Sequence, residues 1–419
     1  MYFSKNLKII LLILYFIICF LTNLLYKNPL FTKSLTIAKD FQEKFNSTFS
    51  KTFFLIITQF GSQVFYIPVF IIFFILNPLN YFIYILTTLI LAIYIDCLMK
   101  IIYNNPRPFF VKPELFQEEC ELGFGNPSGH SFGSAVTYLG IWHLSMNCQK
   151  FKNNKKVKYC SLIFTFIFII LILMSRLYIG VHSLDQIIYG ALLGLGFYYL
   201  MFYISDIYQY KPKKFFDTID QFKFIFISLF IFLIILVLPF YFIFKKNDKK
   251  IDEYNKNVND KCKSKEDFLR YYNNGLVGCL LVLILLGMYL GLIFVKKKCD
   301  EEFFDYENKI LNLNKSNLKI NLIRTAIFFI FGFPILLALV IKSQNLFVIF
   351  IFKIGLSFFL SSFSMFGFGT YFGYIISNKF NNNESEKGNS LEYTDKEISE
   401  YSTVNASPPE KFSIVEIHY

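Results

Sequence analysis

Runs of about twenty apolar residues recur along almost the whole chain, and that feature leaves few folds open. A bilayer's hydrocarbon is about 30 Å thick and cannot hydrogen-bond a backbone. A helix of about 20 apolar residues satisfies its own N–H and C=O groups and is the element such runs form. Ten runs read as spans: 7–26, 53–76, 81–103, 131–147, 158–175, 183–204, 222–244, 275–295, 321–341 and 345–377. The last is long for one crossing and short for two, and reads as a single tilted or kinked helix. Short buried strands would not produce runs of this length. Composition agrees: the 419 residues are 55% hydrophobic and only 17% charged, against about 25% charged in a soluble domain. The expected fold class is all-α, a polytopic membrane bundle of about ten helices.

The first run follows Lys5 and Lys8 like a signal peptide, but it continues to Tyr26 with no small-residue cleavage site, so a retained helix is expected. Residues 27–52, 245–274 and 296–320 read as polar connections, and the acidic, Asn- and Ser-rich stretch 378–419 as a disordered tail. Three units follow: 1–204 with the chemistry, 205–377 with additional spans, and the tail. The net charge of +12 is spread over loops between spans, where acidic headgroups are the nearest partners, and no nucleic-acid module is visible. The eight cysteines show no CxxC spacing and so support neither a zinc site nor a redox pair.

Three polar clusters break the apolar pattern, each at a span end. Lys100–Pro108 (KIIYNNPRP) closes the third span, Gly125–Ser131 (GNPSGHS) opens the fourth, and Ser175–Gln186 (SRLYIGVHSLDQ) joins the fifth to the sixth. Alternating crossings place all three on one face of the membrane. Lys100 and Arg107 are about two helical turns apart, although Pro106 and Pro108 argue that the helix ends before Arg107. Arg176 adds a planar fork suited to bidentate grip on phosphate. Ser128 and Gly129 sit where a helix N-terminus presents free N–H groups to an anion. His130 and His182 supply an acid and a nucleophile. No carboxylate cluster stands ready to hold magnesium, so metal-free phosphoryl transfer, without a cofactor, is the chemistry that fits. Only four Arg and four His occur in the chain, and two of each lie in these clusters.

Together the clusters resemble the signature of the type 2 phosphatidic acid phosphatase superfamily, which includes lipid phosphate phosphatases, glucose-6-phosphatase and vanadium haloperoxidases. Its pattern is Lys, six residues, Arg-Pro; then Pro-Ser-Gly-His; then Ser-Arg, five residues, His, and an Asp four after that His. Lys100, Arg107, Pro108, Pro127, Ser128, Gly129, His130, Ser175, Arg176 and His182 match in order. The resemblance covers roughly residues 50–204. It implies that His182 is a nucleophile forming a phosphohistidine, that His130 protonates the leaving alkoxide, and that Lys100, Arg107, Arg176 and the Ser128–Gly129 amides stabilise the transition state. One position departs: Gln186 stands four after His182, with Asp185 one earlier. On a helix both lie on the face of His182, so either could orient the imidazole. Gln there looks like glucose-6-phosphatase, as does the Cys120–Glu121 pair before the Pro-Ser-Gly-His.

The resemblance thus implies a membrane phosphatase acting on a lipid phosphate, with a sugar phosphatase of the glucose-6-phosphatase kind or a catalytically silent relative as alternatives. Expected partners are a lipid phosphate or small phosphorylated substrate and membrane lipids, and the expected location is the endoplasmic reticulum or another endomembrane rather than the plasma membrane. The loop 148–157 carries four Lys and no acid, which points to the cytosol for that loop and to the lumen or exterior for the clusters. His143 reads as a core or interfacial histidine, Asp96 as either a partner for Lys100 or a pore-side or helix-packing acid, Arg324 and Lys353 as snorkelling or bundle-facing cations, and Cys120 and Cys262 as thiols on the clusters' face, free in preference to bridged.

Overall fold

The structure, a computed structural model, describes residues 5–115, 121, 123–146, 153–205, 211–244, 253–254, 256–259, 269–299, 301–309, 315–332, 348, 355, 357–377 and 379. Among these every regular element is a helix. Helices α1 (Lys5–Lys44), α2 (Thr48–Gln59), α3 (Gln63–Leu76) and α4 (Leu79–Tyr103) lead to a short α5 (Pro108–Val111). They are followed by α6 (Gly129–Met146), α7 (Lys155–Tyr178), α8 (Leu184–Tyr199, continued by a π-helical turn Leu200–Ile204), α9 (Pro212–Gln221) and α10 (Lys223–Phe244). Beyond these come α11 (Leu269–Leu280), α12 (Val282–Lys298), α13 (Glu301–Lys309), α14 (Lys315–Gly332) and a last helical stretch α15 (Ser357–Ser377).

Seven helices among the described residues are long and apolar enough to cross a membrane: Lys5–Lys44, Leu79–Val111, Lys155–Tyr178, Leu184–Ile204, Lys223–Phe244, Tyr272–Lys298 and Ser357–Ser377. Three of the ten expected spans are missing from that set, for local reasons. The run 53–76 breaks at Phe60–Ser62, where the Ser62 hydroxyl accepts from Phe65 N at 3.3 Å and caps α3. The run 131–147 forms α6, whose glycines, serines and His143 dilute its hydropathy. The run 321–341 matches α14 only as far as Gly332, and 333–341 lies outside the described residues, as do Lys353, Cys120, Cys262 and nearly all of the tail. The connection 27–52 is a correction: α1 continues through it to Lys44, passing Pro29, and α2 begins at Thr48.

The centre of the bundle is α6, packed against α4, α7 and α8, with α1 lying along α8. Small residues let α6 and α8 approach closely. A Cβ at Gly194 would lie 2.7 Å from Ala135 Cβ and 2.9 Å from Phe132 O. His143, mid-helix and buried, meets Tyr198 OH at 3.1 Å and is a core residue, as expected. Outward faces of α1, α7 and α10 carry exposed apolar side chains such as Ile10, Phe164 and Phe224, the pattern of a surface that meets lipid.

The later helices are tied to this core by one buried ion pair. Arg324 on α14 bonds Glu307 on α13 through both carboxylate oxygens, at 3.1 and 3.3 Å, and donates to Phe74 O at 2.6 Å. Glu307 in turn accepts from Leu79 N at 2.9 Å, capping an α4 N-terminus for which Pro78 supplies no side chain. Both charges are almost wholly buried, so Arg324 faces the bundle rather than the interface. Replacing either partner alone leaves the other uncompensated, at a cost of roughly 3–5 kcal/mol. Arg324→Met or Glu307→Gln is therefore expected to lower the thermal midpoint in detergent markedly, and the double variant to recover part of the loss; strict additivity would refute the coupling.

Candidate active site

The three polar clusters meet in space, and local structure explains how each arrives. Helix α4 ends at Tyr103 because Asn104 adopts the left-handed conformation (φ 49°) and its N–H returns to Lys100 O. The chain then leaves through Pro106, so Arg107 sits on the exit loop instead of the helix. Lys100 stays on the last turn, its ammonium donating to Asp96 Oδ2 at 2.8 Å. The second cluster ends in the N-terminus of α6. Ser128 is buried, its hydroxyl accepting from Ser131, and its amide donates to Gln186 O at 3.0 Å. The Ser128 N–H expected to meet phosphate is thus engaged within the protein, which leaves Gly129 and His130 as the amides of the free helix end. The third cluster closes α7 with Arg176 and opens α8 two residues after His182.

Arg176 is fully buried; it donates to Thr58 Oγ1 of α2 and to Glu121 Oε1. Arg107 is also buried. Its Nε donates to Gly123 O at 2.8 Å, and its Nη1 lies 2.7 Å from Glu121 Oε2 and 3.0 Å from His182 Nε2. His182 Nδ1 faces two acceptors, Gly125 O at 2.9 Å and Gln186 Oε1 at 3.2 Å. Two acceptors on one nitrogen require the proton there, so Nε2 carries the lone pair and accepts from Arg107 Nη1, with Glu121 Oε2 3.9 Å away. The Gln186 amide is itself fixed, since Nε2 donates to Pro106 O at 2.8 Å. His130 Nδ1 approaches Glu121 Oε1 at 3.9 Å.

Asp185 goes elsewhere: its carboxylate lines a separate cavity between α1 and α8, with Asn23 and Lys27. Of the two residues that the helix spacing allows, only Gln186 is brought to the imidazole. Lys100, Glu121, His130 and His182 line a common cavity of about 260 Å³ whose remaining wall is largely apolar, with Tyr66, Leu89 and Phe132. Burial alone would push the Glu121 carboxyl up, but the Arg176 and Arg107 guanidinium groups outweigh it and hold the group well below the usual carboxylate range. Burial and the neighbouring Arg107 charge hold His182 well below the usual imidazole range, so it is neutral near pH 7. The arrangement combines a neutral imidazole whose Nε2 accepts from Arg107, a second histidine, and a carboxylate held between Arg107 and Arg176 beside a cavity that Lys100 also lines.

The description that matches this stretch is the PAP2 superfamily, over residues 81–210. Residues 81–210 thus resemble that superfamily. The chain is 29% identical to Glucose-6-phosphatase catalytic subunit 1 of Felis catus over 124 residues, which cover 27% of this chain and 33% of that protein. It is 31% identical to Phosphatidylglycerophosphatase B of Bacillus subtilis (strain 168) over 106 residues, covering 25% of this chain and 49% of that one. The match therefore spans about a third of the length of the glucose-6-phosphatase and about half of the bacterial enzyme. A crystal structure of a transmembrane PAP2 type phosphatidylglycerolphosphate phosphatase from Bacillus subtilis aligns with 45% of this chain and 93% of its own, at 21% identity and a TM-score of 0.39.

Sequence reasoning noted Glu121 only as a family marker and missed its place at the centre of the PAP2 site. The available signal was an acid in the loop between two cationic motifs. Close packing of α8 on the site loop is the feature most exposed to test. A Cβ at Gly190 would stand 2.6 Å from Ser128 O and 3.2 Å from Ser128 N, both backbone atoms. In an unconstrained helix Gly→Ala stabilises by about 1 kcal/mol; here overpacking should instead cost about 1–3 kcal/mol. Gly190→Ala is expected to lower the thermal midpoint, and a rise would contradict this packing.

Proposed function

We propose that the chain is an integral membrane phosphatase that hydrolyses a lipid phosphate monoester through a phosphohistidine on His182. The observation that carries this reading is the place of His182 Nε2: an unprotonated ring nitrogen that accepts from Arg107 and stands 3.9 Å from the carboxylate that Arg107 and Arg176 hold, with His130 on its other side. In the proposed sequence, Nε2 attacks phosphorus while the ester P–O bond breaks, and His130 gives its proton to the departing alkoxide. His130 then takes a proton from water, whose oxygen attacks the phosphohistidine, releasing phosphate and restoring Nε2. Arg107, Arg176, Lys100 and the α6 amides at Gly129 and His130 hold the three non-bridging oxygens as charge redistributes. Gln186 and Gly125 O orient the imidazole. Asp96 holds Lys100.

The apolar wall formed by Leu89, Ala92, Ile93 and Phe132 beside the cations supports a lipid leaving group. A second reading, a sugar phosphate substrate, is favoured by Gln186 standing where the family's pattern has Asp. It draws further support from the likeness to glucose-6-phosphatase. Release of phosphate from lipid and sugar phosphates by purified protein, with His182→Ala as the inactive reference, separates the two. Lipid substrates are expected to turn over at least tenfold better in kcat/KM; the reverse order would move the assignment to the sugar phosphate.

Two further outcomes follow from the chemistry proposed. Hydrolysis should persist in excess EDTA and be blocked by vanadate, which adopts five-coordinate geometry; complete loss in EDTA would exclude a histidine-only mechanism. Gln186→Leu, which removes one of the two Nδ1 partners and the Pro106 contact, should reduce kcat by about 10–100-fold, while Asp185→Asn changes it less than threefold. Comparable losses in the two variants would show that the imidazole is not oriented through Gln186.

A further inference from the structure

We infer that Glu121 is a built-in competitor: its carboxylate occupies the phosphate seat while no substrate is bound, and a phosphate ester enters by displacing it. The inference rests on the site reading above and assigns an autoinhibitory, affinity-setting role within it. Glu121 places one oxygen 2.7 Å from Arg107 Nη1 and the other against Arg176 Nη2. Its two oxygens lie 3.9 Å from His130 Nδ1 and from His182 Nε2 respectively. These are the groups assigned to the phosphoryl group and its flanking bonds, so carboxylate and substrate cannot share them.

The physical need is clear. Arg176 is 0% exposed and Arg107 3% exposed. Two buried guanidinium groups without a counter-anion are costly. Glu121 neutralises them in the free protein, and a phosphate monoester dianion replaces its single charge with two. Glu121 is also the member of the cluster able to leave. Its side chain is 25% exposed, while those of Arg107, Arg176 and His182 are at most 4%. It projects from the loop before α6, not from a helix. The other buried pair, Glu307 with Arg324, has side chains of 1% and 4% exposure and is anchored to the Leu79 amide.

Such a competitor weakens every incoming anion by one common factor, because the apparent dissociation constant is the intrinsic one divided by the fraction of open seats. A bilayer presents phosphodiester headgroups, each a monoanion, in great excess over any monoester. Lowering all affinities together leaves the seat closed to any anion present below its raised dissociation constant, while the ratio between two anions stays the same. Glu121 thereby sets how much anion the seat needs before it fills, without altering which anion is preferred.

The test compares full-length wild type with Glu121→Gln and Glu121→Ala in detergent, with dissociation constants for inorganic phosphate and for dimethyl phosphate read by calorimetry. Both constants are expected to fall at least tenfold in the variants, and by the same factor for the two anions. An unchanged or raised constant would make Glu121 a structural support and overturn the proposal. A gain for phosphate equal to the square of the gain for dimethyl phosphate would also overturn it, since through-space repulsion scales with ligand charge and seat occupancy does not. If the variants are unstable alone, folding restored by phosphate supports the proposal, and failure to fold with or without phosphate counts against it. Failure of wild type and variants alike to bind phosphate would refute the phosphate site itself; equal binding by all three refutes only the role of Glu121.

Discussion

Two guanidinium groups buried where a membrane protein would ordinarily place apolar side chains are the constraint on which this arrangement depends. Arg107 comes from the loop after α4 and Arg176 from the last turn of α7, and each is held by partners elsewhere: Gly123 O and Val181 O for the first, Thr58 on α2 for the second. Charges so placed need a counter-anion at all times, because water does not reach them. Glu121 supplies it here, and the same demand makes the site a strong receptor for any anion that can replace that carboxylate. The imidazoles of His130 and His182 flank the same space, so the group that satisfies the cations is held where a ring nitrogen can reach it.

Backbone packing makes this geometry rigid. The site loop 123–128 is clamped by Gly125 N to Asn105 O and Ser128 N to Gln186 O, and α8 lies against it through Gly190. Gln186 serves three neighbours at once: His182 Nδ1, Ser183 N and Pro106 O. A single amide therefore joins Gly125 O in setting the tautomer of His182, caps α8 and ties the exit of α4 to the start of α8. The helices after α9 add a second layer of support, since Glu307 and Arg324 fix the α3–α4 corner from which the Lys100 helix starts. That gives the later helices a structural part in the site, although none of the three clusters lies on them.

Much of this was legible from residues alone. Run length gave helices, and the three clusters at span ends gave a shared face. Rare Arg and His among abundant Lys marked Arg107, Arg176, His130 and His182. Where the reading departed, a local cause is visible. Continuation of α1 through 27–44 goes against its polar composition, and the break at Phe60–Ser62 rests on a serine cap within an apolar run. Ser128, expected to offer its amide, has it drawn off by a carbonyl distant in sequence. Asp185 and Gln186 are equivalent by helical spacing, and only the direction of α8 distinguishes them.

The sequence by itself determined the all-α membrane class, the convergence of the motifs on one side and the chemical types gathered there. Those follow from periodicity, hydrocarbon thickness and the alternation of crossings, which are local or topological properties. Tertiary structure alone decided that Gln186 rather than Asp185 meets His182, that Glu121 rests between Arg107 and Arg176, and that Arg324 locks the outer helices to α4. Each of these depends on where one side chain points relative to a residue brought near by folding, and a one-dimensional pattern carries no such direction.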